Sequence, residues 1–187
     1  MKDIGFIEGM LIKGEEAGDK VKAEFSNITL QELNWKPVPE SWSIGQCLDH
    51  LITADCLYFP ALKKITNNAY QMTAWQKWSP FSGLLGKILA DQLQEKPKGK
   101  LKAPGVFVPS FSQIDTGILD RFQKHLDTLL EYIGALKEID IDKTRITSPA
   151  AKFVTYNLRN TIKILVPLLH RHINQAIRVK QKQEFPK

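Results

Sequence analysis

Residues 158–179 read LRNTIKILVPLLHRHINQAIRV. Leu158, Ile162, Leu165, Leu169, His172, Ala176 and Val179 follow one another at steps of four and three, the period that puts apolar side chains on one face of a helix. Three further stretches carry the same signal. The first runs from Ile4 to Phe25, with Ile4, Ile7, Leu11 and Val21 as its markers, and is the least regular. The second opens at Ser43, an N-cap that Gln46 closes into a capping box, and continues through Ile44, Cys47, Leu48, Leu51, Tyr58 and Leu62, with Pro60 set to kink it. The third starts near Ser112 and carries Ile118, Leu119, Phe122, Leu126, Leu129, Leu130 and Ile133.

The links decide how these helices connect. The stretch ITLQELNWKPVPESWS reads as a connector, and so does the polar KEIDIDKTRITSPAAK before the last helix. Residues 67–109 hold four prolines, Trp75 and Trp78, with one short helix expected over 84–93. That length suits a crossover between two parallel helices better than a hairpin of antiparallel ones. No alternating strand run competes. The expected fold class is all-α: a single domain over residues 1–187, a four-helix bundle with a long crossover between helices 2 and 3. Helices 2 and 3 are expected parallel, and helices 1 and 2 antiparallel.

Composition narrows the class. The 187 residues are 43% hydrophobic and 25% charged, enough for a core and too apolar for a disordered chain. No stretch is long and apolar enough to span a membrane, and the N-terminal MKDIGFIEGMLIKGEE meets acidic residues where a secretory signal keeps its apolar centre. Cys47 and Cys56, nine positions apart in one helix, point to different faces and are too few for a secreted disulfide scaffold. A cytoplasmic protein is expected. The net charge is +6, but residues 94–104 supply +3 of it and residues 171–187 supply +4. Charge gathered in one loop and one tail reads as solvated surface, so no nucleic-acid partner is expected.

His172 is the polar exception in the stripe of the last helix. An imidazole facing a bundle core must satisfy two ring nitrogens, by hydrogen bonding to another helix or by holding a metal. His50 lies on the second helix, one turn after Cys47, where its ring also points inward. Two inward histidines on different helices can meet.

The run SWSIGQCLDHL followed by Asp55, together with RITSPAAKFVTYNLRNTIKILVPLLHRHINQAIRV, resembles the DinB-like family, also called the YfiT-like metalloenzymes. The resemblance covers essentially the whole chain, with its specific motifs at the two ends, and implies the same bundle with a crossover. Metal-binding members of that family use three histidines. One follows W-S by seven positions and precedes Leu; two stand at i and i+4 in the last helix, ending in H-x-x-Q. The resemblance places the first on His50, after Trp42 and Ser43, and the last on His172, with Gln175 closing the motif. The remaining position is Leu168. His170 does not replace it, because residues two apart on a helix diverge by roughly 200° where residues four apart diverge by roughly 40°.

The site therefore reads as degenerate. His50 and His172 are the candidate ligands of a divalent metal such as zinc or nickel, and Cys47 or His125 are the candidate substitutes for the third donor. Arg171 and Arg178 are candidates to bind an anionic substrate, Asp49 and Asp55 to orient His50, and the four tryptophans to line a pocket or cover the ends of the bundle. The expected function is that of a DinB-like bundle protein with a degenerate metal site, ligand-binding or stress-related and non-catalytic. The alternative that the resemblance implies is a metal-dependent thiol S-transferase or hydrolase-like enzyme using His50, His172 and a nonstandard third ligand. A purely structural dimerisation module is the third reading. The expected partners are a small-molecule ligand or low-molecular-weight thiol and a second copy of the chain, as a homodimer.

Overall fold

The computed structural model describes residues 2–79, 109 and 113–186. The short helix expected over 84–93 and the expected helix start at Ser112 lie outside those residues. What is described is mostly helical, with one small two-stranded sheet.

Helix α1 spans Ile4–Phe25 and is capped by the Asp3 carboxylate, which accepts from the Phe6 amide. Its weak apolar period has a physical reason: Gly14, Ala17 and Gly18 form part of its buried face, beside Ile7, Val21 and Phe25. A methyl group on Gly14 would collide with Leu130, and one on Gly18 would stand 2.7 Å from Leu126 Cδ2, so the two glycines admit the leucines of a neighbouring helix. Close approach replaces large side chains here.

The segment read as a connector contains a short helix, α2 (Leu30–Asn34), started by a Thr29–Glu32 capping box. Helix α3 (Ile44–Cys56) opens with the expected box, in which Ser43 and Gln46 each satisfy the other's backbone. The pattern that continues to Leu62 is divided. Helix α3 stops at Cys56, and α4 (Phe59–Thr66) begins with Pro60 in its first turn, where a missing N–H costs nothing. Helix α5 (Ala74–Trp78) is short and capped by Thr73. Helix α6 (Ile118–Ala135) runs into a 3-10 turn over Leu136–Glu138.

The polar link before the last helix holds what the sequence pattern did not disclose. Strands β1 (Arg145–Ser148) and β2 (Ala151–Asn157) pair antiparallel, Ile146 opposite Tyr156, with a bulge between Thr147 and Ser148. Asn157 ends β2 and caps helix α7 (Leu158–Lys180) through its side chain. Arg159, in the first turn of α7, grips Asp142 through two nitrogens at 2.6 and 2.9 Å and reaches Asp3 at 2.9 Å, tying the start of α7 to the start of α1.

The long helices α1, α3, α6 and α7 pack on one another, α3 and α1 each against both α6 and α7. Contacts along α1 and α7 rise together: Lys13 meets His170, Lys20 meets Asn174 and Glu24 meets Lys180. Those of α1 and α6 run oppositely, Gly14 against Leu130 and Gly18 against Leu126. On α3, Gly45 faces Ile114 and Asp55 faces His125, so α3 and the chain leading through α6 run the same way. Ile44, Leu48, Leu51, Phe122, Leu126, Leu129, Leu165 and Leu169 fill the shared core.

Candidate functional site

Trp42 lies just before α3 and His50 two turns into it, so the buried capping box at Ser43 fixes their relation. His172 stands on α7 beside them. The two imidazoles meet edge to face at 65°, with 4.4 Å between ring centroids. Trp42 packs on both, at 4.7 Å from His50 and 5.5 Å from His172. The structure thus brings the two candidate histidines together under one indole ring. His172 Nδ1 donates to the Gln175 side-chain oxygen at 3.0 Å, which leaves Nε2 as the lone-pair nitrogen. Burial, the facing His50 and the charges of Arg171 and Arg178 hold its pKa down at about 3, so the ring is neutral across the physiological range.

Leu168, one turn before His172, is buried, and His170 points elsewhere, donating from Nε2 to the Lys13 carbonyl of α1 at 2.8 Å. Cys47 is fully buried one turn before His50, and burial pushes its thiol up to about 12. It is a packed thiol rather than a thiolate, and the thiolate is the form that ligates metal. The donor set does not fit a three-nitrogen metal centre. Two imidazoles converge, the third place is filled by an apolar side chain, and among the described residues no group of three or more His, Cys, Asp or Glu side chains is placed to hold an ion.

The charge around the pair is positive. Arg171 and Arg178 both act on His172, and burial together with Arg178 lowers the Arg171 pKa. The Arg171 Nη1 atom is buried with no hydrogen-bond partner. A guanidinium nitrogen withdrawn from water in this way is a strong donor waiting for an acceptor.

His125 belongs to a different cluster. Its Nε2 donates to Asp55 Oδ2 at 3.2 Å, its Nδ1 faces the Cys56 sulfur at 3.7 Å, and its ring stacks on Phe59 at 4.9 Å and 16°. Asp55, a candidate to orient His50, instead lies fully buried against His125. Burial raises its pKa, and the hydrogen bond and charge of His125 offset that only in part. Asp49 is also buried, and its charge acts on Arg121 of α6. Of the four tryptophans only Trp42 reaches the histidine pair. Trp35 meets Phe185 edge to face at 5.5 Å, Trp75 donates to the Phe153 carbonyl at 3.0 Å, and Trp78 is exposed.

Sequence reading missed the Asp55–His125–Cys56 group, although a signal existed. Asp55 follows Leu48 by seven and Leu51 by four, and His125 follows Ile118 by seven and Phe122 by three. Both occupy stripe positions, where a polar group needs a partner from another helix.

With this geometry in place, the comparison with known proteins is direct: residues 14–176 match the profile of the DinB superfamily. The chain belongs to the DinB superfamily. It is also similar to "Uncharacterized protein YuaE" of Bacillus subtilis (strain 168), with 28% identity over 166 residues, covering 86% of this chain and 91% of that protein. No solved structure matches it significantly. The matched stretch takes in Trp42, His50, Leu168 and His172. Among the described residues no helix is long and apolar enough to cross a membrane.

Proposed function

We propose that this DinB superfamily member is a cytoplasmic four-helix bundle, with its crossover between α3 and α6, whose histidine centre serves as a binding site for a small anionic ligand in place of a held metal. The parallel contacts of α3 with α6 and the antiparallel ones of α1 with α6 support the architecture. The observation that carries the functional reading is the buried Leu168 in the third ligand position, beside a His50–His172 pair that still converges at 4.4 Å. A neutral His172, an aromatic wall at Trp42 and the unpartnered Arg171 nitrogen suit a carboxylate- or thiol-bearing molecule.

A second reading is a metal-dependent thiol S-transferase or hydrolase-like enzyme using zinc or nickel. The convergence of the two rings, with a lone pair left on His172 Nε2, favours it, and it needs a third donor. Isothermal titration of the untagged protein with mercaptoacetate, zinc and nickel separates the two. Mercaptoacetate binding that Arg171→Gln abolishes, with weak metal binding, supports the ligand site. Tight metal binding near one equivalent overturns it in favour of the enzyme. A homodimer also belongs to this proposal, with the exposed Ile4 and Ile12 of α1 as apolar surface a second copy would cover. Sedimentation at micromolar concentration giving a mass near 21.3 kDa refutes that part.

A further inference from the structure

Away from the histidine pair, α3 and α6 build a second chemical group. We propose that Cys56 is a base-assisted nucleophilic thiol, with His125 as its base and Asp55 as the residue that positions that base, and that it exchanges with small disulfides to form a mixed disulfide on the protein.

The geometry carries the assignment. Cys56 closes α3 and is exposed, so a small reagent reaches its sulfur. On its protein side the sulfur faces His125 Nδ1 at 3.7 Å, and the opposite ring nitrogen is bound by Asp55 Oδ2 at 3.2 Å. A carboxylate on Nε2 fixes the tautomer that carries its proton there and leaves the Nδ1 lone pair toward the thiol. Phe59 stacks on the imidazole, and Tyr132 closes edge-on against Phe59 at 5.2 Å, so the ring plane is set by packing. The burial of Asp55 is a second sign. Its side chain is wholly withdrawn from water, and its Oδ1 has no hydrogen-bond partner, a costly arrangement that packing alone would not select.

Burial and the Asp55 charge both raise the Cys56 thiol, so it does not ionise unaided at neutral pH. The neighbouring base is what makes it reactive. As the sulfur attacks one sulfur of a disulfide, its proton passes to His125 Nδ1, the new S–S bond forms and the old one breaks. The departing thiolate then takes the proton from the imidazolium and leaves as a thiol. Cys56 is oxidised and the released half of the disulfide is reduced. Disulfide exchange needs only nucleophile, base and open approach, which this group supplies.

The experiment uses 5,5′-dithiobis(2-nitrobenzoate) and follows the released aromatic thiolate, with the site assigned by peptide mass. In the native protein Cys56 is expected to react and the buried Cys47 to stay unmodified; Cys56→Ser removes the reaction. His125→Gln and Asp55→Asn are expected to slow it by about tenfold or more at neutral pH. The parent's rate profile should show a shoulder on the acid side of the ordinary thiol rise, and both variants should lose it. Among the described residues the charged and titratable groups facing Cys56 and its base are Asp55 and His125, and the Asp55 charge also reaches Tyr58. A measurement independent of those variants compares Cys47→Ala folded and in urea: Cys56 should react faster folded. Slower reaction in the folded state, or an unchanged rate and profile in folded His125→Gln, overturns the proposal.

Discussion

His172 meets His50 edge to face with 4.4 Å between ring centroids, both rings are buried, and that burial, with the facing His50, holds His172 neutral. Stability should depend on pH through this residue. Its pKa is about 3 when folded, against 6.5 for an ordinary histidine, so the unfolded chain binds the extra proton between those values. The contribution is therefore fully present above the unfolded value and is lost as pH falls through 6.5 toward 3. The slope from this one group is at most about 1.4 kcal/mol per pH unit. Urea midpoints at pH 7.5 and pH 5 should fall with acid in the parent and fall less in His172→Phe. Equal falls in both proteins would reject the argument.

Tyr58, the N-cap of α4, and Tyr156, in β2, share a buried hydrogen bond of 2.8 Å between their hydroxyls. It joins the hairpin to the junction between α3 and α4. Tyr58→Phe should cost about 1 kcal/mol, the usual net worth of one such bond. A double-mutant cycle with Tyr156→Phe should show coupling of about 0.5 kcal/mol or more. Additive losses by urea denaturation would mean that the hydroxyls contribute separately.

The long-range signals explain which parts could be read from the chain. Helix α1 was legible to its end residues, and the Ser43–Gln46 box located α3, because both depend on neighbours a few positions away. The convergence of His50 and His172 was legible because His172 interrupts the apolar stripe of its helix and His50 stands one turn after Cys47 on the inward side of its own. The hairpin was not. Its turn is Pro149–Ala150, without the Asn-Gly or Asp-Gly that marks a tight hairpin, and β2 buries Val154, Thr155 and Tyr156 in succession rather than in alternation. The Asp55–His125 pair joins residues 70 positions apart, and its register is set by where α3 and α6 dock. Neither residue's own helix contains that information.

Gly45 tests how tightly the start of α3 is packed. A methyl group there would stand 2.8 Å from Ile114 Cβ and 3.2 Å from both of its γ carbons, so a stem atom rather than a flexible tip is in the way. Alanine gains helix propensity over glycine by up to about 1 kcal/mol, which opposes the clash. Overpacking of this kind costs roughly 1–3 kcal/mol and should win, so Gly45→Ala is expected to lower the thermal midpoint by several degrees. A raised midpoint would show that Ile114 moves aside freely.

Leu168→His tests the proposal that Leu168 stands in a third ligand position. Position 168 lies one turn before His172 on the same face of α7, so an imidazole there should join the His50–His172 pair as a third nitrogen. The parent should bind zinc weakly, since two imidazoles leave most of the ion's coordination to water. The variant should bind at least about a hundredfold more tightly, the range over which one ligand or its support commonly acts. It should also lose roughly 1–3 kcal/mol of stability, because a buried leucine gives way to a polar ring. Zinc should return part of that loss by binding only the folded form, raising the thermal midpoint of the variant and leaving the parent's unchanged. Isothermal titration and melting curves of both proteins check this. Tight binding by the parent would point to a third donor already in place, with Cys47, one turn before His50, the first to substitute. Equally weak binding by both would mean that the lone pairs at His50 and His172 do not share a focus, and the departure at Leu168 would then follow the loss of the centre rather than cause it.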